Sequence, residues 1–223
     1  PSNKLKLAVC FFGRTYGHQT MYSSKAVNKK VRFLFGLQSI RENVFQNHDV
    51  DVYCHAWVDC QSTKEKIIKL LNPKDIIVEK QKEFYKDVIP QAFMSQFFSR
   101  SKSIDLALSS NKEYDLIVAI RYDVFFFNPV NYHVVEKNKL YIDGDSGTRD
   151  WHFVGDCTTM KKIVDMLEYA SFHIERKTHL PSQGVIYFPY YKSLNLETEN
   201  LLNYNPQIID KYNTDICLVR SLD

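Results

Sequence analysis

The run YDLIVAIRYDVFFF is the most apolar stretch of the chain, and toward its end it carries the triplet Arg121-Tyr122-Asp123. An arginine two positions before an aspartate offers two chemistries. Its guanidinium can contact phosphate oxygens as a planar, multi-donor cation, or it can pair with the carboxylate as an ion pair at a sheet edge. A second place for chemistry is Phe12-Gly13-Arg14-Thr15, where glycine lets a ligand approach the backbone and Arg14 offers another anion-binding group. A simple turn is the alternative there.

Asp150, Trp151 and His152 stand together in GDSGTRDWHFVGD. A carboxylate within hydrogen-bond reach of a hydroxyl can take its proton, and a partly apolar setting raises its pKa usefully. The Trp151 plane offers a flat apolar stacking surface, with His152 as a hydrogen-bonding neighbour. The competing reading is a core strand in which Trp151, Phe153 and Val154 alternate and Asp150 caps the start. Asp143-Gly144-Asp145 follows a short strand inside a polar stretch and reads as a solvated Asp-Gly turn, the alternative being a second carboxylate pair that supplies a ligand from a loop folded back over the site. Asp156, just before a helix, reads as its N-cap. Gln96, Arg100 and Ser103 share a helix face by spacing, with Arg100 the best placed of them to meet an anion; a surface arginine balanced by Asp105 is the plainer alternative. His55 reads as a satisfied histidine at a strand end, and neither His173 nor His179 in FHIERKTHLPSQG is singled out by its neighbours. With no CxxC, HExxH or Cys/His cluster, a structural zinc and a cysteine nucleophile are set aside.

The elements that must position these residues follow from periodicity. LKLAVCFF reads as a first strand ending at Gly13, residues from about Ser24 to His48 as a helix with one broad apolar face, and VDVYCHAW as a second strand. A polar connection over Gly17, His18, Gln19 and Thr20 is a candidate flap between the first strand and that helix. STKEKIIKLLNP is a short helix, KDIIVEKQ a third strand, and Pro90 to Ser110 a second long helix opened by proline. YDLIVAIRYDVFFF is the buried central strand. Beyond Pro129, KLYIDG, DWHFVGD, GVIYFPYY and DICLVRSL read as strands and TTMKKIVDMLEYA as one amphipathic helix. Alternating strands and helices predict an α/β fold with a mainly parallel sheet, whose ligands bind beyond the carboxyl ends of the strands.

Composition bounds the rest. A chain of 223 residues with 44% hydrophobic and 25% charged residues is a globular protein with a sizeable core, read as a single domain. The net charge of +3 and pI near 8.5 are too mild, and too evenly spread, for an electrostatic nucleic-acid binder. Five cysteines, an odd number mostly inside apolar runs, suggest a reducing compartment. The absence of any run long enough to span a bilayer, with no signal-peptide pattern, makes the expected location cytoplasmic.

The exit AVCFFGRTYG, the unit SIRENVFQNHDVDVYCHAW, NPKDIIVEKQ, YDLIVAIRYDVFFF and RDWHFVGD, in this order, resemble the GT-A class of nucleotide-sugar glycosyltransferases, in particular small bacterial and large-virus members. The resemblance implies a three-layer sandwich around a mainly parallel mixed sheet. Residues 1–129 would form the nucleotide-sugar-binding half and residues 130–223 the acceptor-side half. It implies transfer of a sugar from a UDP- or GDP-sugar to a hydroxyl of a glycan or glycoconjugate. In such enzymes an Asp-x-Asp closing the central strand holds Mn²⁺ or Mg²⁺ on the diphosphate. Here Asp123 takes the last carboxylate position and Arg121 replaces the first, so that either the guanidinium contacts the phosphates and lessens the need for a metal, or the metal site is one carboxylate plus donor oxygens. By the same resemblance Phe12, Gly13, Arg14, Thr15, Arg100, Arg121, Tyr122 and Asp123 bind the donor. Asp123 is the metal ligand, Trp151 and His152 meet the acceptor, and Asp150 is the base. A nucleotidyltransferase, for which FFGRTYG is only a partial phosphate loop, and a non-catalytic nucleotide- or glycan-binding module are the rival readings.

Overall fold

In chain order the elements are β1 (Lys6–Phe12), β2 (His18–Gln19), β3 (Lys29–Lys30), α1 (Phe33–Ile40) with a π-helical continuation over Arg41–Phe45, β4 (Asp49–Trp57), α2 (Gln61–Leu71), β5 (Asp75–Glu79) and α3 (Val88–Leu108). Then come β6 (Leu116–Arg121), β7 (Val124–Phe126), a 3₁₀ turn over Tyr132–Val134, β8 (Lys139–Asp143), β9 (His152–Gly155), α4 (Cys157–Ile163), α5 (Met166–Glu175), β10 (Glu197–Glu199) and β11 (Ile216–Leu218). The computed structural model describes residues 4–15, 18–19, 29–30, 33–58, 61–84, 88–144, 150–175, 189–203 and 215–218.

The central sheet has seven strands in the order β10-β8-β9-β6-β1-β4-β5. Strand β9 runs antiparallel to both of its neighbours, whereas the pairs β6–β1, β1–β4, β4–β5 and β10–β8 are parallel. The fold is therefore α/β around a mixed, mainly parallel sheet. Strands β1 and β6 are apolar without alternation because both faces are covered. Leu7, Val9 and Phe11 of β1 pack with Leu37, Ile40, Ile67 and Leu71 of α1 and α2. Ala8, Cys10 and Phe12 pack on the other face with Phe97, Ile104, Met160 and Met166 of α3, α4 and α5. The edge strand β10 is short and carries two glutamates, a composition that discourages further pairing. Among the described residues no helix is long and apolar enough to cross a membrane.

Several sequence expectations need correction. The first helix starts at Phe33, not near Ser24, and Lys29–Lys30 pairs instead with His18–Gln19 as a two-stranded ribbon. The central apolar run is two strands. After Arg121 the chain turns at Tyr122–Asp123, and β7 leaves the sheet to pair with β11. The helix expected over 158–170 breaks at Val164–Asp165 into α4 and α5. Of the strand expected over 184–191, residues 189–191 instead open a helical turn that runs to 193, and 184–188 lie outside the described residues. Cys10, Cys54 and Cys217 are free and buried, in keeping with a core role; Cys60 lies outside the described residues.

Candidate functional site

The five residues Leu116–Ile120 of β6 are buried, and Arg121 emerges at the strand's carboxyl end. Because β9 is antiparallel to β6, with His152 opposite Ile120, the residues that precede β9 arrive at the same edge. Arg121 N donates to Trp151 O at 3.0 Å, which fixes Asp150 beside the arginine side chain. The guanidinium then answers two carboxylates. Nε and Nη2 donate to Asp123 Oδ1 and Oδ2, both at 2.9 Å, and Nη1 donates to Asp150 Oδ2 at 3.0 Å. From α3, Gln96 Nε2 donates to the same Asp150 Oδ2 at 2.5 Å and to its carbonyl at 3.1 Å. Asp123 and Asp150 are 4% and 3% exposed. The fork-shaped contact is the geometry in which arginine binds a carboxylate most strongly. Of the two readings of Arg121, the ion pair with Asp123 is present.

The neighbouring strand end carries the second part of the site. Phe12 lies opposite Arg121 in the sheet, so Gly13 follows directly alongside. Gly13 has φ of 103°, a conformation glycine adopts without the penalty a side chain brings. Its N–H donates to Ser99 Oγ at 2.7 Å and its carbonyl accepts from Trp57 N at 3.0 Å. Arg14 is exposed and its guanidinium donates to Gln81 Oε1, while Gln81 in turn donates to Ser95 Oγ at 2.7 Å. Thr15 is buried, and its hydroxyl makes no hydrogen bond among the described residues. Ser99 Oγ also meets His55 Nδ1 at 2.8 Å, and His55 Nε2 meets Glu79 Oε1 at 3.0 Å. Burial pulls the His55 pKa below its usual 6.5 against the opposing pull of Glu79. The expectation of a satisfied histidine at this strand end holds.

The other sequence candidates lie deeper. Phe12 is a wholly buried core residue, tilted against Phe153. Tyr122 is wholly buried and stacked on Phe11 at 5.4 Å; burial raises its phenol pKa well above 10.0. Trp151 belongs to the core cluster that includes Phe11 and Tyr141, as the core reading has it. His152 is fully buried between Asp143 Oδ2 at 2.8 Å and Tyr132 OH at 3.1 Å, so both ring nitrogens are engaged. Asp143 is not a solvated turn residue. It is 0% exposed and also accepts from the backbone N–H groups of Leu201 and Leu202 at 2.8 and 2.9 Å. Arg100 is no surface arginine either: it is wholly buried, over the Phe153 ring at 4.2 Å and donating to Met166 Sδ at 3.2 Å. Ser103 bonds back to the Arg100 carbonyl, so of the three residues on that presumed face only Gln96 reaches the site. Asp156 does cap α4, accepting from Thr159 N at 2.7 Å. His173 sits on α5 against Tyr169, whereas Asp145, Gly17, Thr20 and His179 lie outside the described residues.

Sequence reasoning missed Ser95, Ser99, Glu79 and Gln81. A signal existed, because Ser95, Gln96 and Ser99 share one face by helical spacing, between the apolar residues Phe93, Met94, Phe97 and Phe98. Both oxygens of Asp123 already face a guanidinium, so a divalent cation held there has to displace or share one of those bonds. Among the described residues no group of three or more His, Cys, Asp or Glu gathers as metal ligands. Grooves of about 480 and 330 Å³ open elsewhere, one lined by Tyr191–Thr198 residues and the other by Arg41, Lys69 and Lys74. The basic lining of the second lies at the carboxyl end of α2, where cations answer the helix dipole. Compared with known proteins, the chain matches no family model and no curated sequence.

Proposed function

We propose that this chain is a GT-A-like glycosyltransferase that moves a sugar from a nucleoside-diphosphate donor to a hydroxyl of a glycan or glycoconjugate. One observation carries the reading: the Asp123–Arg121–Asp150 cluster stands at the carboxyl edge of a mainly parallel sheet, beside the Gly13 turn, where such sheets bind ligands. Arg14, exposed beside that turn, is the cation best placed to meet a diphosphate, and the Gly13 backbone allows a close approach. Arg121 and Gln96 orient the Asp150 carboxylate, which takes the proton from the acceptor hydroxyl if the anomeric centre is inverted. Asp123 would be the residue to hold a Mn²⁺ or Mg²⁺, which would supply charge neutralisation of the diphosphate, and its carboxylate would then share its oxygens between the cation and Arg121.

A panel of UDP- and GDP-sugars with and without Mn²⁺, read by thermal shift and then by donor hydrolysis, tests the proposal. Donor-dependent stabilisation with turnover is expected, and Asp150→Asn should keep the stabilisation while losing at least about a hundredfold in turnover, the lower range for a general base. No stabilisation and no turnover across the panel would sink it. The saturation of Asp123 by Arg121 favours one second reading, a nucleotide- or glycan-binding module without catalysis. Its mark is stabilisation without turnover in the wild-type chain.

A further inference from the structure

Strands β1, β4 and β5 and helix α3 meet in one chain of hydrogen bonds that the chemistry above does not use. It runs from Gly13 N–H to Ser99 Oγ (2.7 Å), from Ser99 Oγ to His55 Nδ1 (2.8 Å), and from His55 Nε2 to Glu79 Oε1 (3.0 Å). Ser99 and His55 are wholly buried, and the imidazole is walled by Trp57 and Phe98, ring centroids at 4.7 and 5.6 Å. Lys82 and Lys102 are the cations that act on it, and both stand over Phe98.

The direction of each bond follows from counting protons. A carboxylate only accepts, so Glu79 requires the proton on Nε2, and the neutral ring then leaves Nδ1 as an acceptor. The Ser99 hydroxyl must therefore donate to Nδ1, which turns its lone pairs toward the Gly13 N–H. With the proton on Nδ1 instead, Ser99 would have to turn its own hydrogen to the His55 carbonyl, a longer contact of 3.5 Å. The Gly13 carbonyl is held independently by Trp57 N, so both polar groups of the turn are anchored.

We propose that Glu79, His55 and Ser99 are positioning residues that set the pose of the Gly13–Thr15 turn for the donor by fixing the direction of one hydroxyl. The inference rests on the donor reading for its consequence but not for its geometry, and the two can be tested apart.

The full chain labelled with ¹⁵N-glycine has seven glycine amides to follow, and labelled histidine reports the tautomer. In the wild type the Gly13 amide should be protected from exchange and His55 should be a single Nε2–H tautomer. Ser99→Ala should speed Gly13 exchange about tenfold relative to the other glycines, the loss of one net hydrogen bond. Its KM for the nucleotide sugar should rise about tenfold while kcat stays within about twofold. Glu79→Gln, at a partly exposed position, should mix the tautomers and move the Gly13 resonance; it decides the matter if Ser99→Ala does not fold. An unmoved Gly13 amide, or an equal rise in exchange at every glycine, would overturn the clamp. A wild-type chain that binds no nucleotide sugar would overturn the donor reading and the KM arm with it, while the amide and tautomer results still judge the geometry.

Discussion

With one guanidinium between two buried carboxylates, the three residues of the Asp123–Arg121–Asp150 cluster are not equivalent. Removing Arg121 takes the same guanidinium from two acidic groups of 4% and 3% exposure, whereas removing either aspartate leaves the other ion pair in place. Breaking a buried pair from one side costs about 3–5 kcal/mol, because the remaining charge is desolvated and unanswered. Arg121→Met should therefore lower stability by about that amount, and Asp123→Asn or Asp150→Asn by about 1–2 kcal/mol. Urea unfolding of the three variants checks the ranking, and an Arg121→Met loss no larger than that of the asparagine variants contradicts it. The pairing itself could not be read from RYD, since spacing allows the arginine to face a ligand equally well. The third partner, Asp150, is distant in sequence and joins only because β9 runs backward beside β6.

At the scale of elements, the chain stops its helices without much glycine. Asn47, Asn72, Asn111, Asn138 and Asn195 take positive φ, and Asn72 and Asn111 do so just after α2 and α3. Asparagine tolerates this left-handed conformation better than other side chains do. Gly13 differs, because its φ of 103° lies where a Cβ is strained even though no atom stands within 4 Å of one. Gly13→Ala should thus cost about 1–2 kcal/mol through the backbone alone, with no repacking around it. A thermal melt gives the cost, and neutrality would mean that the turn relaxes. Strand and helix positions were largely legible, because apolar runs and helical spacing report burial directly. The split of YDLIVAIRYDVFFF was not: periodicity registers that both β6 and β7 are buried, but not that the chain changes sheets between them.

For the whole molecule, acid should weaken the fold in two stages. Burial lowers the His55 pKa, and burial together with His133 lowers that of His48, so the unfolded chain takes up these protons first as pH falls below 6.5. Stability present at neutral pH is therefore lost as the pH descends from that value toward the folded-state pKa values. Burial pushes Glu79, Asp51 and Asp156 upward, but their hydrogen-bond partners outweigh it and leave all three below their usual values. Their contribution is intact above about 4.5 and is lost on further acidification. Asp105, raised by burial, works in the opposite direction. Melting temperature measured from pH ~8 to ~4 should hold level, begin to fall in the histidine range and then steepen; His55→Asn should flatten the first decline, and a flat profile down to pH ~5 would contradict the assignment. By itself the sequence determined the α/β class, the two-sided core and the edge at which to look, because hydrophobic period and run length are local properties of the chain. Only the tertiary structure decided that Arg121 faces carboxylates, that Asp143 and Arg100 are buried, and that Ser99 and His55 meet the Gly13 turn, because each depends on which distant strand or helix packs alongside.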